Sequence, residues 1–189
     1  MRKIIANALE PLSTIVAVTA VLGLRIGETL ALRTSDVDFA KHVIRVRQTV
    51  DAATRTVSGV KSKASSADLP MSTELQVRLK THVLRDDPKN ELLFVNGRGR
   101  PFSANKLREK QLHPLLVRLG IPSGGFHSLR HGAASSLLAD GATPAVVQKA
   151  TPSLRRPDHP RCLWARHRRC SAQRGADSIG EAGELGANC

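Results

Sequence analysis

Three groups of residues in this 189-residue chain have the types and spacings needed to handle a phosphate. Arg25 and Glu28 stand three apart in L-G-L-R-I-G-E, so on a helix they are neighbours on one face. A carboxylate beside an arginine fixes the guanidinium fork, and an oriented fork grips two phosphate oxygens at once. The same spacing also describes a plain surface ion pair. Lys61 and Lys63 lie in the polar stretch G-V-K-S-K-A-S-S. A lysine at a hairpin tip can reach a DNA groove and donate a proton or a hydrogen bond, although such a stretch also reads as a solvated turn. His127 and Arg130 in H-S-L-R-H follow Ser123-Gly124-Gly125. At a helix start, free backbone N–H groups already favour anions. A histidine and an arginine on one face there combine a proton shuttle with a charge clamp. His131 is expected to point elsewhere and pack.

The elements that must position these residues are mostly helical. Pro11 opens a helix over 11–21, which Gly23 ends, and a second helix is predicted over 26–33. Residues 43–50 (V-I-R-V-R-Q-T-V) are rich in β-branched types and partly alternate, which predicts a strand. Further strands are predicted over 54–60 and 67–71. Ser72 caps a helix ending near Arg85, and Ser103 caps a longer one to Leu119, closed by Gly120 and Pro122. Another helix runs from His127 to Gly141, and Pro144 opens a short one over 145–149. The expected fold class is α+β, mainly α-helical, with a small three-stranded antiparallel sheet.

Composition sets outer bounds. The chain carries 29 Lys and Arg against 16 Asp and Glu, a net charge of +13. The segment 151–189 has seven arginines and four acidic residues, so +10 belongs to residues 1–150. An excess of this size points to a polyanionic partner, because clustered cations displace counterions from phosphates. No apolar run approaches the roughly 18 uncharged residues of a membrane span. Arg2, Lys3 and the apolar run 12–24 have the outline of a signal peptide. Glu10 and Pro11 interrupt it, however, and Arg25 and Glu28 close it, so a buried helix is expected. All three cysteines (Cys162, Cys170, Cys189) lie in the last 39 residues, which favours a reducing, cytoplasmic setting for the body. The spacing of Cys162, His167 and Cys170 lacks a well-placed fourth ligand, and no metal site or cofactor is expected. The tail has no apolar period and reads as disordered. Tyrosine is absent from the whole sequence.

Taken in this order and at these separations, the three groups resemble the catalytic domain of the tyrosine recombinases, the phage-integrase family of DNA breaking-rejoining enzymes. L-G-L-R-I-G-E-T-L-A-L-R-T-S-D-V-D-F is similar to that family's first arginine box, and V-K-S-K-A-S-S-A-D-L-P-M to its β-hairpin lysine segment. H-S-L-R-H-G-A-A-S-S-L-L-A-D-G resembles the second box, and L-L-F-V-N-G-R-G-R-P-F-S the loop before the long helix. The resemblance covers residues 1–149. It implies a metal-free transesterification of double-stranded DNA, with a tyrosine hydroxyl attacking the phosphorus and a 5′-hydroxyl leaving. By the same resemblance Arg25 and Arg130 neutralise the non-bridging oxygens, Lys61 protonates the leaving oxygen, and His127 takes the nucleophile's proton. Glu28, Lys63 and His131 have supporting places. Ser66 and Ala67 stand where the family often carries a basic pair.

Two parts of the family pattern are missing. Nothing before the first box corresponds to the separate helical domain that closes the family's clamp on DNA. After Val146-Val147-Gln148-Lys149 the family continues to its nucleophilic tyrosine, whereas residues 150–189 contain none. Codons compatible with Asp158–Ala172, read one base later, spell I-T-L-G-V-Y-G-H-V-I-G-D-A-Q-R, which resembles the missing tyrosine segment. The expectation is therefore a domain over 1–149, incomplete at its end, followed by an out-of-frame tail over 150–189. The readings that follow are a site-specific recombination and integration domain of a phage or mobile element that cannot complete cleavage, a non-enzymatic DNA-binding or decoy module pairing with other recombinase protomers, or a product without function. The gene sequence beyond the Lys149 codon is expected to encode a tyrosine-bearing segment in the plus-one frame. A plus-one frame without one refutes the frameshift.

Overall fold

Residues 1–59, 67–85 and 90–139 are described by the computed structural model. Lys61, Lys63, Ser66, the expected helix over 145–149 and the tail with Cys162, His167 and Cys170 lie outside the described residues. The apolar run that resembled a signal peptide is the central helix. Helix α1 (Arg2–Asn7) precedes α2 (Leu12–Leu22), in which every residue except Val21 is buried. Ile15, Val16 and Val18 are wholly inaccessible, each contributing about 1.5–3 kcal/mol by leaving water. Gly23 caps α2 in the left-handed conformation, φ 63°, as its position after the apolar run predicts. Helix α1 and the later helices α3 (Ile26–Leu30), α4 (Thr73–Arg85) and α7 (Phe126–Ala139) all pack against α2.

Helix α3 (Ile26–Leu30) is shorter than the predicted span 26–33. The cause is a competing backbone partner. The Leu32 carbonyl accepts the N–H of Leu93 at 2.8 Å, and the Thr34 N–H donates to the Glu91 carbonyl at 3.1 Å, so the chain is drawn out along residues 91–93. The Asp36 carboxylate then accepts the Arg33 N–H at 2.9 Å and closes a short 3₁₀ turn over Thr34–Asp36.

The predicted strand over 43–50 divides at Arg47. Strand β2 (Val43–Val46) lies between β1 (Val37–Asp38) and β5 (Ala67–Pro70), both antiparallel to it, in register Ile44 to Val37 and Ile44 to Leu69. Strand β3 (Gln48–Val50) instead pairs with β4 (Val57–Gly59), forming a two-stranded hairpin. Ile44, Val46 and Val50 remain buried through the division, so the period of two survives while the partner changes. A three-stranded sheet is present, with β1 rather than the 54–60 segment as its third strand.

Helix α4 (Thr73–Arg85) starts where expected, with the Ser72 hydroxyl accepting the Leu75 N–H at 3.3 Å. The long helix predicted after Ser103 is interrupted. It runs as α5 (Ala104–Leu107), a π-helical turn (Arg108–Leu112) and α6 (His113–Arg118). Leu107 and Leu112 are both buried although five apart, a spacing that a π turn brings onto one face. Pro114, which has no N–H for the preceding turn, follows directly. Helix α7 (Phe126–Ala139) carries the H-S-L-R-H motif.

One close approach fixes the hairpin to α3. A Cβ added at Gly27 lies 2.7 Å from the Val50 carbonyl oxygen and 2.8 Å from the Thr49 hydroxyl oxygen. Backbone cannot step aside as a flexible side chain can. Gly27→Ala is expected to destabilise the fold by about 1–3 kcal/mol, measured by urea unfolding; an unchanged midpoint refutes the close packing of α3 on β3.

Candidate phosphate-binding site

Arg25 is the N-cap of α3, in extended conformation, and Glu28 occupies the third helical position. One Glu28 oxygen accepts the Arg25 backbone N–H at 2.8 Å, and the other accepts Arg25 Nη1 at 2.9 Å. The exposed ion pair that spacing alone allows is therefore not what forms. The Glu28 side chain is only 3% exposed while that of Arg25 is 40% exposed. A buried carboxylate holds a half-exposed guanidinium from below, the arrangement that fixes a fork toward solvent. The Thr19 and Thr29 hydroxyls, 3.1 Å apart and buried, tie this short helix to α2.

Arg130, on α7, is 2% exposed. Its Nε and Nη1 are buried and have no hydrogen-bond acceptor among the described residues. Burial first, and then the like charge of Arg25, push its pKa down to about 10, with Glu28 pulling the other way. The three groups are thus in electrostatic reach of one another. Each oxygen of Glu28 already accepts a hydrogen bond from Arg25, so two cations share one anion. The remaining charge is positive, and the open hydrogen-bonding capacity is donor capacity. Such a site takes an anion, and two guanidinium forks suit a phosphate in particular.

His127 sits at the start of α7 and is exposed, so the three-residue spacing places Arg130 inside and His127 at the rim. His131 does not point elsewhere as expected. Its ring meets that of His127 edge-on, with centroids 4.4 Å apart, because residues four apart share a helix face. The segment before α7 is packed rather than loose. The Ser128 hydroxyl donates to the Gly125 carbonyl at 2.6 Å, and a Cβ at Gly124 falls 2.5 Å from that hydroxyl. Sequence reasoning brought Arg25, Glu28, His127 and Arg130 forward but passed over Gly27. Its only signal was a residue without a side chain between two charged neighbours of a helix start.

A cleft of about 540 Å³ between α4 and the start of α2, lined by Glu10, Thr14, Arg78 and Arg85 among others, contains none of these residues. Among the described residues no cluster of three or more His, Cys, Asp or Glu side chains is placed to hold a metal ion. None of their helices is long and apolar enough to cross a membrane.

Residues 2–151 match the model of the Phage integrase family. A tyrosine recombinase XerC-like protein of Caldanaerobacter subterraneus subsp. tengcongensis is 29% identical over 151 residues, covering 67% of this chain and 38% of the relative. The tyrosine recombinase XerC of Lactobacillus leichmannii is 27% identical over 139 residues, covering 71% and 44%. This chain thus spans about two fifths of the length of these relatives. Among solved structures, the XerA recombinase is 28% identical with a TM-score of 0.65, covering 80% of this chain and 51% of that one. The Tn1549 transposon integrase in complex with transposon right end DNA is similar in fold, with a TM-score of 0.69 at 18% identity over 80% of this chain and 55% of that one.

A buried guanidinium with two unpartnered nitrogens destabilises the empty fold, and at neutral pH it is a full cation. That penalty is present below about pH 10 and eases only as the pH rises through that value. Arg130→Met, which keeps the volume and removes the charge, is expected to stabilise the chain by about 1–4 kcal/mol in urea unfolding without DNA. A loss of stability shows that the guanidinium has protein partners.

Proposed function

Because the chain belongs to the phage integrase family, we propose that its described domain binds double-stranded DNA and holds one backbone phosphate against Arg25 and Arg130. The observation carrying this reading is the buried Arg130 guanidinium, two of whose nitrogens lack an acceptor among the described residues, in electrostatic reach of the oriented fork of Arg25. The reaction class is site-specific recombination by phosphoryl transfer. In it the two arginines offset charge on the non-bridging oxygens, Lys61 delivers a proton to the leaving 5′-oxygen, and His127 accepts the proton of the attacking hydroxyl. Glu28 acts through Arg25, fixing its orientation, and His131 holds the His127 ring.

The family's nucleophile is a tyrosine, and this sequence has none. We therefore infer that the chain, as it stands, binds DNA without forming a covalent phosphotyrosyl link. Residues 150–189 are on this reading an out-of-frame tail, in keeping with a family match that ends at residue 151. An accessory role beside an intact recombinase is favoured by the same pairing of Arg25 and Arg130 with a missing nucleophile. A cytoplasmic setting goes with the absence of cysteine from residues 1–150.

The test uses the full chain and a nicked duplex carrying a recombination half-site. Retarded complexes are expected at low salt, with affinity dropping on the order of a hundredfold or more between about 50 and about 200 mM salt. Arg130→Met is expected to weaken binding although it stabilises the free chain. No band resistant to SDS is expected. A DNA–protein adduct that survives SDS overturns the inactive reading, and an absence of retardation at low salt overturns the DNA reading.

A further inference from the structure

Arg55, Arg98 and Arg100 are among the arginines that the phosphate site does not use. The turn over 51–56, which joins β3 to β4, is organised by Asp51. Its Oδ1 accepts the N–H groups of Ala53 and Thr54 at 2.9 Å each and the Thr54 hydroxyl at 3.1 Å. Arg55 closes the turn in the left-handed region, φ 60°, its N–H donating to the Asp51 carbonyl at 3.0 Å. Few residues with a side chain adopt that conformation. The Arg55 guanidinium leaves the hairpin, and its Nη2 donates to the carbonyl of Pro101, 46 residues along the chain. Its Nε is buried without an acceptor among the described residues.

The loop it clasps is equally well organised. Val95 and Pro101 pair across its base, and the Asn96 N–H donates to the Arg100 carbonyl at 2.9 Å. The Asn96 side-chain oxygen accepts the N–H groups of Arg98 at 2.9 Å and Arg100 at 3.3 Å, while Gly99 takes φ 67°. These bonds use only backbone donors of the two arginines. The side chains of Arg98 and Arg100 are exposed and make no ion pair among the described residues. Space beside Gly97 is open, so an extended ligand can approach the backbone there. The turn's one carboxylate, Asp51, is already occupied by donors of its own turn. The result is a rigid loop presenting unneutralised forks, joined by Arg55 to a hairpin whose Val50 carbonyl abuts Gly27 of α3. One short strand, β3, thus connects this surface to the helix that carries Arg25.

We propose that Arg55, Arg98 and Arg100 form a second cationic surface that binds the DNA phosphate backbone away from the phosphate held by Arg25 and Arg130. Arg98 and Arg100 touch phosphates, and Arg55 positions their loop against the hairpin. The proposal rests on the DNA-binding reading above and adds to it where a second stretch of backbone lies. Exposed arginines on a fixed loop suit this partner because a backbone contact requires charge and placement but no base recognition.

Fluorescence anisotropy of the full chain with a labelled duplex over a salt series tests it. The tail's arginines are present in every variant and cancel in the comparison. Arg98→Ala with Arg100→Ala is expected to make the slope of log affinity against log salt shallower by about 2, equally on unrelated duplexes. The circular dichroism spectrum is expected to stay the same. Arg98→Lys with Arg100→Lys is expected to keep the slope. Arg55→Ala is expected to weaken binding while Arg55→Lys, which can still donate to Pro101, restores much of it. A wild-type chain that binds DNA with a slope unchanged by the double alanine variant overturns this surface and leaves the first site standing. A wild-type chain that binds no duplex at low salt overturns the DNA reading itself.

Discussion

The structure depends on holding one guanidinium out of water. Arg130 is 2% exposed, and two of its nitrogens lack an acceptor among the described residues. A buried cation is tolerated only where something answers its charge. Here the nearby carboxylate, Glu28, gives both oxygens to Arg25. The charge on Arg130 is moderated by Glu28 but not cancelled, which is why burial and Arg25 together push its pKa down to about 10. A fold selected for stability alone would place an apolar side chain there. The electrostatic deficit is local, and its sign and open donors suit an anion.

The rest of the fold keeps these charges from relaxing. Were α3 free to move, Arg25 could swing outward and Glu28 could turn toward Arg130, and the deficit would close. Three constraints oppose that movement. The hydroxyls of Thr19 and Thr29 join α3 to α2 in the core, and Gly27 lets α3 sit against the backbone of β3. Helix α7, which carries Arg130, packs on the same α2. The almost wholly buried α2 is thus the common reference for both arginines, and its wide apolar surface is a requirement of position rather than a membrane signal. Preorganisation of this kind is what allows donors to act on developing charge without first reorienting.

Much of this was legible in the sequence because the signals were local. The Gly23 cap, the Ser72 and Ser103 caps and the start of α7 follow from residues within a turn of the boundary. Arg25 with Glu28, and His127 with Arg130, came from helical spacing. What was not legible involved partners distant in the chain. The end of α3 is set by residues 91–93, the division at Arg47 by a change of strand partner, and the π turn by the need to bury Leu107 and Leu112 together. Burial of Glu28 belongs to the same class, since spacing alone described a surface ion pair equally well. Arg55 is the plainest case: its role is visible only once Pro101, 46 residues away, lies against it.

The cationic site and the missing nucleophile bear on different parts of phosphoryl transfer. Charge complementarity to a phosphate needs the two arginines in place, whereas bond breaking also needs a hydroxyl to attack. The residues that build the charge site all lie between Arg25 and Arg130, and the sequence carries no tyrosine at any position. On the proposed reading, such a chain keeps ground-state binding of a phosphate and lacks the group that would convert binding into cleavage. In such a domain ligand binding and folding are coupled through one group, because an anion at Arg130 answers the charge that the empty fold leaves uncompensated. Whatever binds the native state and not the unfolded chain adds to stability by mass action. An anion bound there therefore acts on the fold as well as on the site, supplying the negative charge that Glu28 alone does not.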